Sequence, residues 1–414
     1  MLEGVRVVEL VDERTIDAGR MLRELGADVV VVEPPGGSTL RRDPPFAGDE
    51  PHHELSLRWW AGSVGKRSVV LDLDDDDGRA DFARLVADAD VVLEGRGRGL
   101  DADGLGWDAL GAPSPSLIWV SITSYGRDSA RAADPAADLT LLAGGGPMWN
   151  CGYDDHDLPP IRGGGNQAFH IGAWYATIGA LVALVHRDVT GRGQLVDVSI
   201  NAACNVTCEQ TTYHWLLLES ICRRQTGRHA SPIPTAPVQV RCADGRYVTT
   251  GVPPRTSREF ARLHGWLSEL GLLEQLPEAV FLELAASREE PVEMSAVETD
   301  PEAAAIMTAA RDAMTLIAQS IPAYDFYVAG QERGFAVGAV MTPDEAFEDP
   351  HFVARGFQVE VDHPDLGATY RYPGISMPSS ASTYPPPRRP PHVGEHSQDV
   401  LGSRPEPREE AGRG

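Results

Sequence analysis

Over the first 130 residues, short apolar runs rich in β-branched side chains alternate with stretches of helical pattern. That alternation leaves very few folds open to the chain. The runs are VRVVEL (5–10), ADVVVVE (27–33), SVVLDL (68–73), ADVVLEG (89–95) and LIWVSIT (117–123), with helical segments such as 14–25 and 78–87 between them. A strand that reads apolar almost continuously is buried on both faces. Strands separated by helices are joined by crossovers, and so run parallel. The expected fold class is α/β: a large Rossmann-like domain with a parallel sheet, followed by a smaller α+β domain.

Further along, a helical block over about 166–186 ends at the turn Thr190, Gly191, Arg192, Gly193, and a strand pattern (194–200) and another helix follow. From about residue 231 the texture changes to hairpin patterns at 238–251 and 357–373, with helices near 256–285 and 300–320. The domain expectation is 1–205 with 380–414 for the large domain and 226–375 for the small one. Residues 206–225 and 376–391 are expected as linkers, the latter including the polyproline-like TYPPPRRPP.

The net charge of −25 repels nucleic acid and anionic membrane, so neither is an expected partner, and a phosphate site must be assembled from a few local cations. The apolar stretch 171–185 is short for a membrane span and reads as a buried helix. The N-terminus lacks a secretory pattern, and the five scattered cysteines show no zinc spacing; a reduced cytoplasm is expected, with no metal. Three motif look-alikes fail. Gly95, Gly97 and Gly99 give GxGxG rather than a dinucleotide fingerprint. The 63–67 segment lacks the first glycine of a phosphate loop, and the acidic run 72–77 misses the calcium-loop spacing.

Lys66 is the only lysine in a chain with 36 Lys plus Arg. A compact ammonium kept where arginine is used everywhere else suggests a contact that guanidinium cannot make: a ligand phosphate or carbonyl, or a structural ion pair.

Several segments together resemble the family III CoA-transferases: LEGVRVVEL (2–10), LGADVVVVEPPGG (25–37), GKRSVVLDL (65–73), ADVVLEG (89–95) and LIWVSITSYG (117–126). HRDVTGRGQLVDVS (186–199), ADGRYV (243–248), GAVMTPDEAFEDPHF (338–352) and VGEHSQDVL (393–401) continue the match in order. The resemblance implies two ring-shaped chains interlocked as a dimer. It also implies coenzyme A or an acyl-CoA as substrate, a small carboxylic acid as acceptor, and a homodimer or a heterodimer with a homologous subunit. It places Ala18, Arg41, Lys66, Arg96 and Arg98 among the CoA-binding positions. Arg42 is the nearest rival to Arg41, and solvated surface arginines are the plainer alternative for Arg41, Arg96 and Arg98.

The pattern breaks at the catalytic position. Family members carry an aspartate before the long helix that ends at TGRGQ. Counting back from Thr190, that place holds Phe169, with His170 beside it and Asn166 and Gln167 nearby. None of these is a carboxylate able to attack a thioester. Asp138 matches a second acidic position of the family and is a candidate nucleophile or base, or else a capping carboxylate. His170 is a candidate base, or else a core histidine. The racemases' His before that aspartate is Ala137 here, Arg20 stands where Pro is usual, Ser63 replaces an Asn, and no Gly-rich lid loop follows. Three readings stay open: a CoA-transferase with its chemistry on Asp138; the aspartate-lacking subunit of a heteromeric CoA-transferase; and a CoA-ester-binding protein, isomerase or lyase.

Overall fold

The structure is a computed structural model that describes residues 1–297, 299–382 and 384–402. The chain forms two compact units. The first gathers Met1–Trp149, Ile161–Leu216 and Pro350–Gly414; the second comprises Asn150–Pro160 and Leu217–Asp349.

The first unit is built on a six-stranded sheet. Its strands are β1 (Arg6–Leu10), β2 (Asp28–Glu33), β3 (Arg67–Val70), β4 (Val91–Glu94), β5 (Ile118–Thr123) and β6 (Leu195–Ser199), in the order β3-β2-β1-β4-β5-β6. Every pairing is parallel, for example Val7 opposite Val29 and Val91, and Val120 opposite Val196. The helices of this unit are α1 (Ile16–Glu24), α2 (Leu57–Ser63), α3 (Asp76–Ala87), α4 (Arg98–Ala102), α5 (Asp138–Gly145), α6 (Gln167–Thr190) and α7 (Ile200–Val206).

Side chains alternate between the faces of a strand, so the continuous apolar runs feed two cores. Val7, Val29, Leu93, Val120 and Ile122 pack with Leu22 of α1 and the small residues of α6. Val8, Val30, Val69, Val92 and Trp119 pack with Phe82, Leu85 and Val86 of α3. Each such buried side chain contributes about 1.5–3 kcal/mol, so these two layers dominate the stability of the unit. The α6 face toward the sheet is Ala168, Gly172, Ala173, Ala176, Ala180 and Ala183, which lets the helix axis come close. Gly191 ends α6 in the left-handed region at φ 72°. A Cβ at Gly193 would fall 2.0 Å from the Leu117 carbonyl oxygen, so the TGRGQ turn needs both glycines for geometric reasons.

In the second unit, β7 (Arg223–Gln225) and β8 (Arg228–Ser231) pair as a small hairpin. A three-stranded sheet of β9 (Gln239–Arg241), β10 (Tyr247–Thr249) and β11 (Gly338–Ala339) packs with helices at Ser257–Glu269, Val280–Ala286, Pro301–Ser320 and Ala323–Glu332. Its core includes Phe260, Trp266, Ile306, Ile317 and Phe326.

The chain then returns to the first unit. The hairpin of β12 (Gln358–His363) and β13 (Ala368–Pro373), expected in the small domain, belongs here instead. Its inward residues Val361 and Tyr372 bury against Trp59 and Trp60 of α2 and Ile16 of α1. Alternation alone gave the hairpin but could not say which core receives it.

Candidate functional site

In an open parallel sheet, the crevice for a ligand lies at the carboxyl ends of the strands, where the strand order reverses. Here that point lies between β1 and β4, and a cleft of about 480 Å³ occupies it. Val11 and Asp12 line it after β1, Pro34 and Pro35 after β2, Leu71–Asp74 after β3, and Gly95 and Arg96 after β4. Burial raises the Asp12 carboxyl, partly offset by Arg14, whose amide and guanidinium both donate to it at 2.8 Å. Glu94, fully buried, accepts the backbone N–H groups of Arg96 (2.6 Å) and Gly97 (2.7 Å) and so fixes the loop after β4.

The expected cofactor-binding residues fall into two groups. Arg96 lines the cleft and pairs with Asp103; Arg98 is half exposed and pairs with Asp128 at 2.6 Å and Asp108 at 2.8 Å. Exposed pairs of this kind are screened by water and can be exchanged for a phosphate.

Arg41, Lys66 and Ala18 are enclosed. Arg41 makes a bidentate pair with Glu33 (2.7 and 2.8 Å), donates to Glu54 (2.6 Å) and to the Pro391 carbonyl (3.0 Å), and lies 3.8 Å above the Trp59 ring. All three of its guanidinium nitrogens are engaged inside the protein, where the sequence suggested a phosphate contact. Arg42 beside it is exposed. Lys66 donates to Glu9 Oε2 (2.7 Å) and to the Ile16 carbonyl (2.8 Å), and neither charged side chain is exposed. Burial pushes the Glu9 carboxyl up to about 7 against the pull of Lys66, and burial lowers the Lys66 ammonium against the pull of Glu9. The lone lysine thus ties strand β1 to the first turn of α1. A Cβ at Gly19 would lie 2.0 Å from Glu9 Oε2, so the pair also requires glycine there. Ala18, wholly buried, packs in the core between α1 and the sheet.

The first turn of α1 and the first turn of α6 meet at this same edge of the sheet. His170 Nδ1 lies 3.3 Å from Asp17 Oδ2, and Arg58 of α2 grips both oxygens of Asp17 at 3.2 and 3.0 Å. Burial would raise the Asp17 carboxyl, but the Arg58 hydrogen bonds and charge, helped by His170 and Arg20, hold it below its ordinary value. The His170 side chain is 48% exposed while Asp17 is 5% exposed, so an open imidazole rests on a shielded carboxylate. Its Nε2 carries no hydrogen bond within the described residues. Asp17 and Arg58 were missed in the sequence, where neither has a distinguishing neighbour.

Phe169 is buried in the core at 3% exposure. Asp138, at the start of α5, accepts from the Ala168 amide at 2.7 Å and from Arg162, so both carboxylate oxygens are used to hold the beginning of α6. Among the described residues no cluster of three or more His, Cys, Asp or Glu side chains could hold a metal ion.

Comparison with known proteins agrees with this geometry. The family model for CoA-transferase family III matches residues 2–397. The chain is 30% identical over 400 residues to the Succinyl-CoA:(R)-benzylsuccinate CoA-transferase subunit BbsE of Thauera aromatica, covering 96% of this chain and 92% of that one. It is 29% identical to the succinyl-CoA:mesaconate CoA-transferase of Haloarcula hispanica, covering 97% and 95% of the two chains. With the beta subunit of succinyl-CoA–L-malate CoA-transferase from Chloroflexus aurantiacus it shares 28% identity, covering 97% and 93%. A crystal structure of a CaiB/BaiF family protein from Brucella suis superposes with a TM-score of 0.76 at 26% identity, covering 96% of this chain and 98% of that one. The parallel sheet in this strand order, the TGRGQ turn and a match that runs almost end to end make this chain a member of the family III CoA-transferases.

Proposed function

We propose that this chain takes part in CoA transfer between an acyl-CoA and a small carboxylic acid as the aspartate-lacking member of a heteromeric assembly. A homologous chain supplies the carboxylate that becomes acylated. One observation carries the reading: at the place of the family's nucleophile stands Phe169, sunk in the core, and the candidate Asp138 has both oxygens committed to Ala168 and Arg162. To act as a nucleophile, Asp138 would have to release the start of α6, so we assign it to positioning. The names of the relatives from Thauera and Chloroflexus support the reading, because they describe subunits.

The surface of α6 supports it as well. Trp174, Ile178, Val182, Val185 and Val189 recur every three or four residues, forming one helical stripe, and their exposures run from 48% to 82%. An exposed apolar stripe on a 24-residue helix marks a surface that another chain covers. The acyl-CoA would lie along the switch-point cleft, with its phosphates met by Arg96, Arg98 and Arg42. Lys66 we assign to the structural pair with Glu9.

The test is co-purification with a homologous chain that carries the aspartate. Alone, the chain should bind CoA and transfer nothing between acyl-CoAs and acids. Together, the pair should transfer CoA, and hydroxylamine should trap the acyl group on the partner. Full transferase activity in this chain alone, with label on Asp138, would overturn the proposal.

A further inference from the structure

The Arg58–Asp17–His170 array holds a base next to a position that lacks the nucleophile. In a histidine–carboxylate pair, the carboxylate fixes which ring nitrogen carries the proton and stabilises the imidazolium that forms when the other nitrogen accepts one. Asp17 suits that role, being shielded, kept ionised by the two Arg58 contacts, and 3.3 Å from Nδ1. Asp17 lies on the Nδ1 side of the ring at ion-pair distance, which leaves Nε2 without a partner among the described residues, and the ring's half exposure brings water to it.

We infer that this site has a second activity, the hydrolysis of acyl-CoA thioesters, with His170 as general base. Nε2 takes a proton from water as the water oxygen bonds to the thioester carbonyl carbon. The C–S bond then breaks, and the departing CoA sulfur takes the proton from the imidazolium. One acyl-CoA and one water give one carboxylic acid and one CoA thiol, with no acylated side chain and no other reactant. Phe169 bears on the outcome because no carboxylate at its position can intercept the acyl group. The half-exposed ring favours water over a carbon acid as proton donor, since abstraction from carbon calls for a site closed to solvent. Asp17 and Arg58 are positioning residues, and Lys66 supports them by holding the carbonyl of Ile16, the residue before Asp17.

The inference rests on the reading that this sheet edge receives an acyl-CoA, and the experiment separates the two. The full-length chain is incubated with butyryl-CoA or glutaryl-CoA in ¹⁸O-enriched water, thiol release is followed, and CoA binding is measured by calorimetry. The wild type should release thiol above the buffer rate and place one ¹⁸O in the free acid and none in the protein. A positioned general base typically contributes about 10²–10⁴-fold. His170→Gln should therefore lower the rate about 100-fold or more while CoA affinity stays unchanged. Asp17→Asn should lower the rate and displace its pH profile, which a loss of stability alone would not do. CoA bound with no thiol release, an unchanged rate in His170→Gln, or deuterium entering the acyl group from heavy water with the thioester intact overturns hydrolysis alone. Absence of CoA binding overturns the underlying reading with it.

Discussion

Replacing Lys66 by Met removes the cation that faces the enclosed Glu9 carboxyl. Glu9 and Lys66 have unexposed side chains, and Lys66 also holds the Ile16 carbonyl. Breaking a buried pair from one side leaves an uncompensated charge and costs about 3–5 kcal/mol. The pH dependence follows from Glu9, which burial moves from 4.5 to about 7. Because the folded value is the higher one, the stability tied to the protonated carboxyl is fully present below 4.5 and is lost as pH rises to about 7. That displacement corresponds to on the order of 3 kcal/mol. Without Lys66 the carboxyl rises further, so the Lys66→Met deficit should be largest near pH 8 and shrink near pH 5.5, where Glu9 accepts a proton. Urea unfolding read by tryptophan fluorescence suits the question, since Trp59, Trp60 and Trp119 are buried in this unit. A chain with Lys66→Met and Glu9→Gln together has no stranded charge and should recover most of the loss. If the single variant keeps the wild-type midpoint while CoA affinity falls by about 1.5–3 kcal/mol, the lysine serves a ligand and not the fold. A double variant as damaged as the single one would count equally against the buried pair.

Arg41→Ala should cost about 3–5 kcal/mol in the same urea assay, because it strands Glu33 and removes the cover over Trp59; unchanged stability with weaker CoA binding would restore the phosphate role. Val182→Asp with Val185→Asp should abolish association with another chain in analytical ultracentrifugation and leave the circular dichroism intact, since both side chains point into solvent here. Burial lowers the His363 imidazole, which faces the Tyr372 hydroxyl at 3.0 Å. Stability tied to neutral His363 is present above about pH 6.5 and is lost as pH falls through the lower folded value. His363→Gln should flatten the unfolding midpoint across that acid range.

The parallel sheet was legible because its strands are local: each is a few β-branched residues, and burial on both faces erases alternation. TGRGQ was legible because a left-handed helix end and a close backbone approach both demand glycine. The partners of the singled-out residues were not. Lys66 finds Glu9 57 positions away, and Arg58 finds Asp17 41 positions away. Nothing in local sequence reports which distant carboxylate a cation will meet. The single lysine drew notice by its rarity, but rarity does not distinguish a buried pair such as Lys66–Glu9 from a ligand contact. Phe169 was the opposite case, since that its side chain is not a carboxylate is read from the sequence without knowledge of its surroundings.

The return of the chain to the first unit has a consequence for biosynthesis. Arg41 and Trp59 both donate to the carbonyl of Pro391, and Trp60 packs against the rings of His363 and Tyr370, so residues made early wait for residues made last. During translation the ribosome releases the Rossmann sheet long before its own C-terminal strap. A nascent chain halted near residue 350 would leave Trp59 and Trp60 without these partners and Arg41 without its carbonyl acceptor.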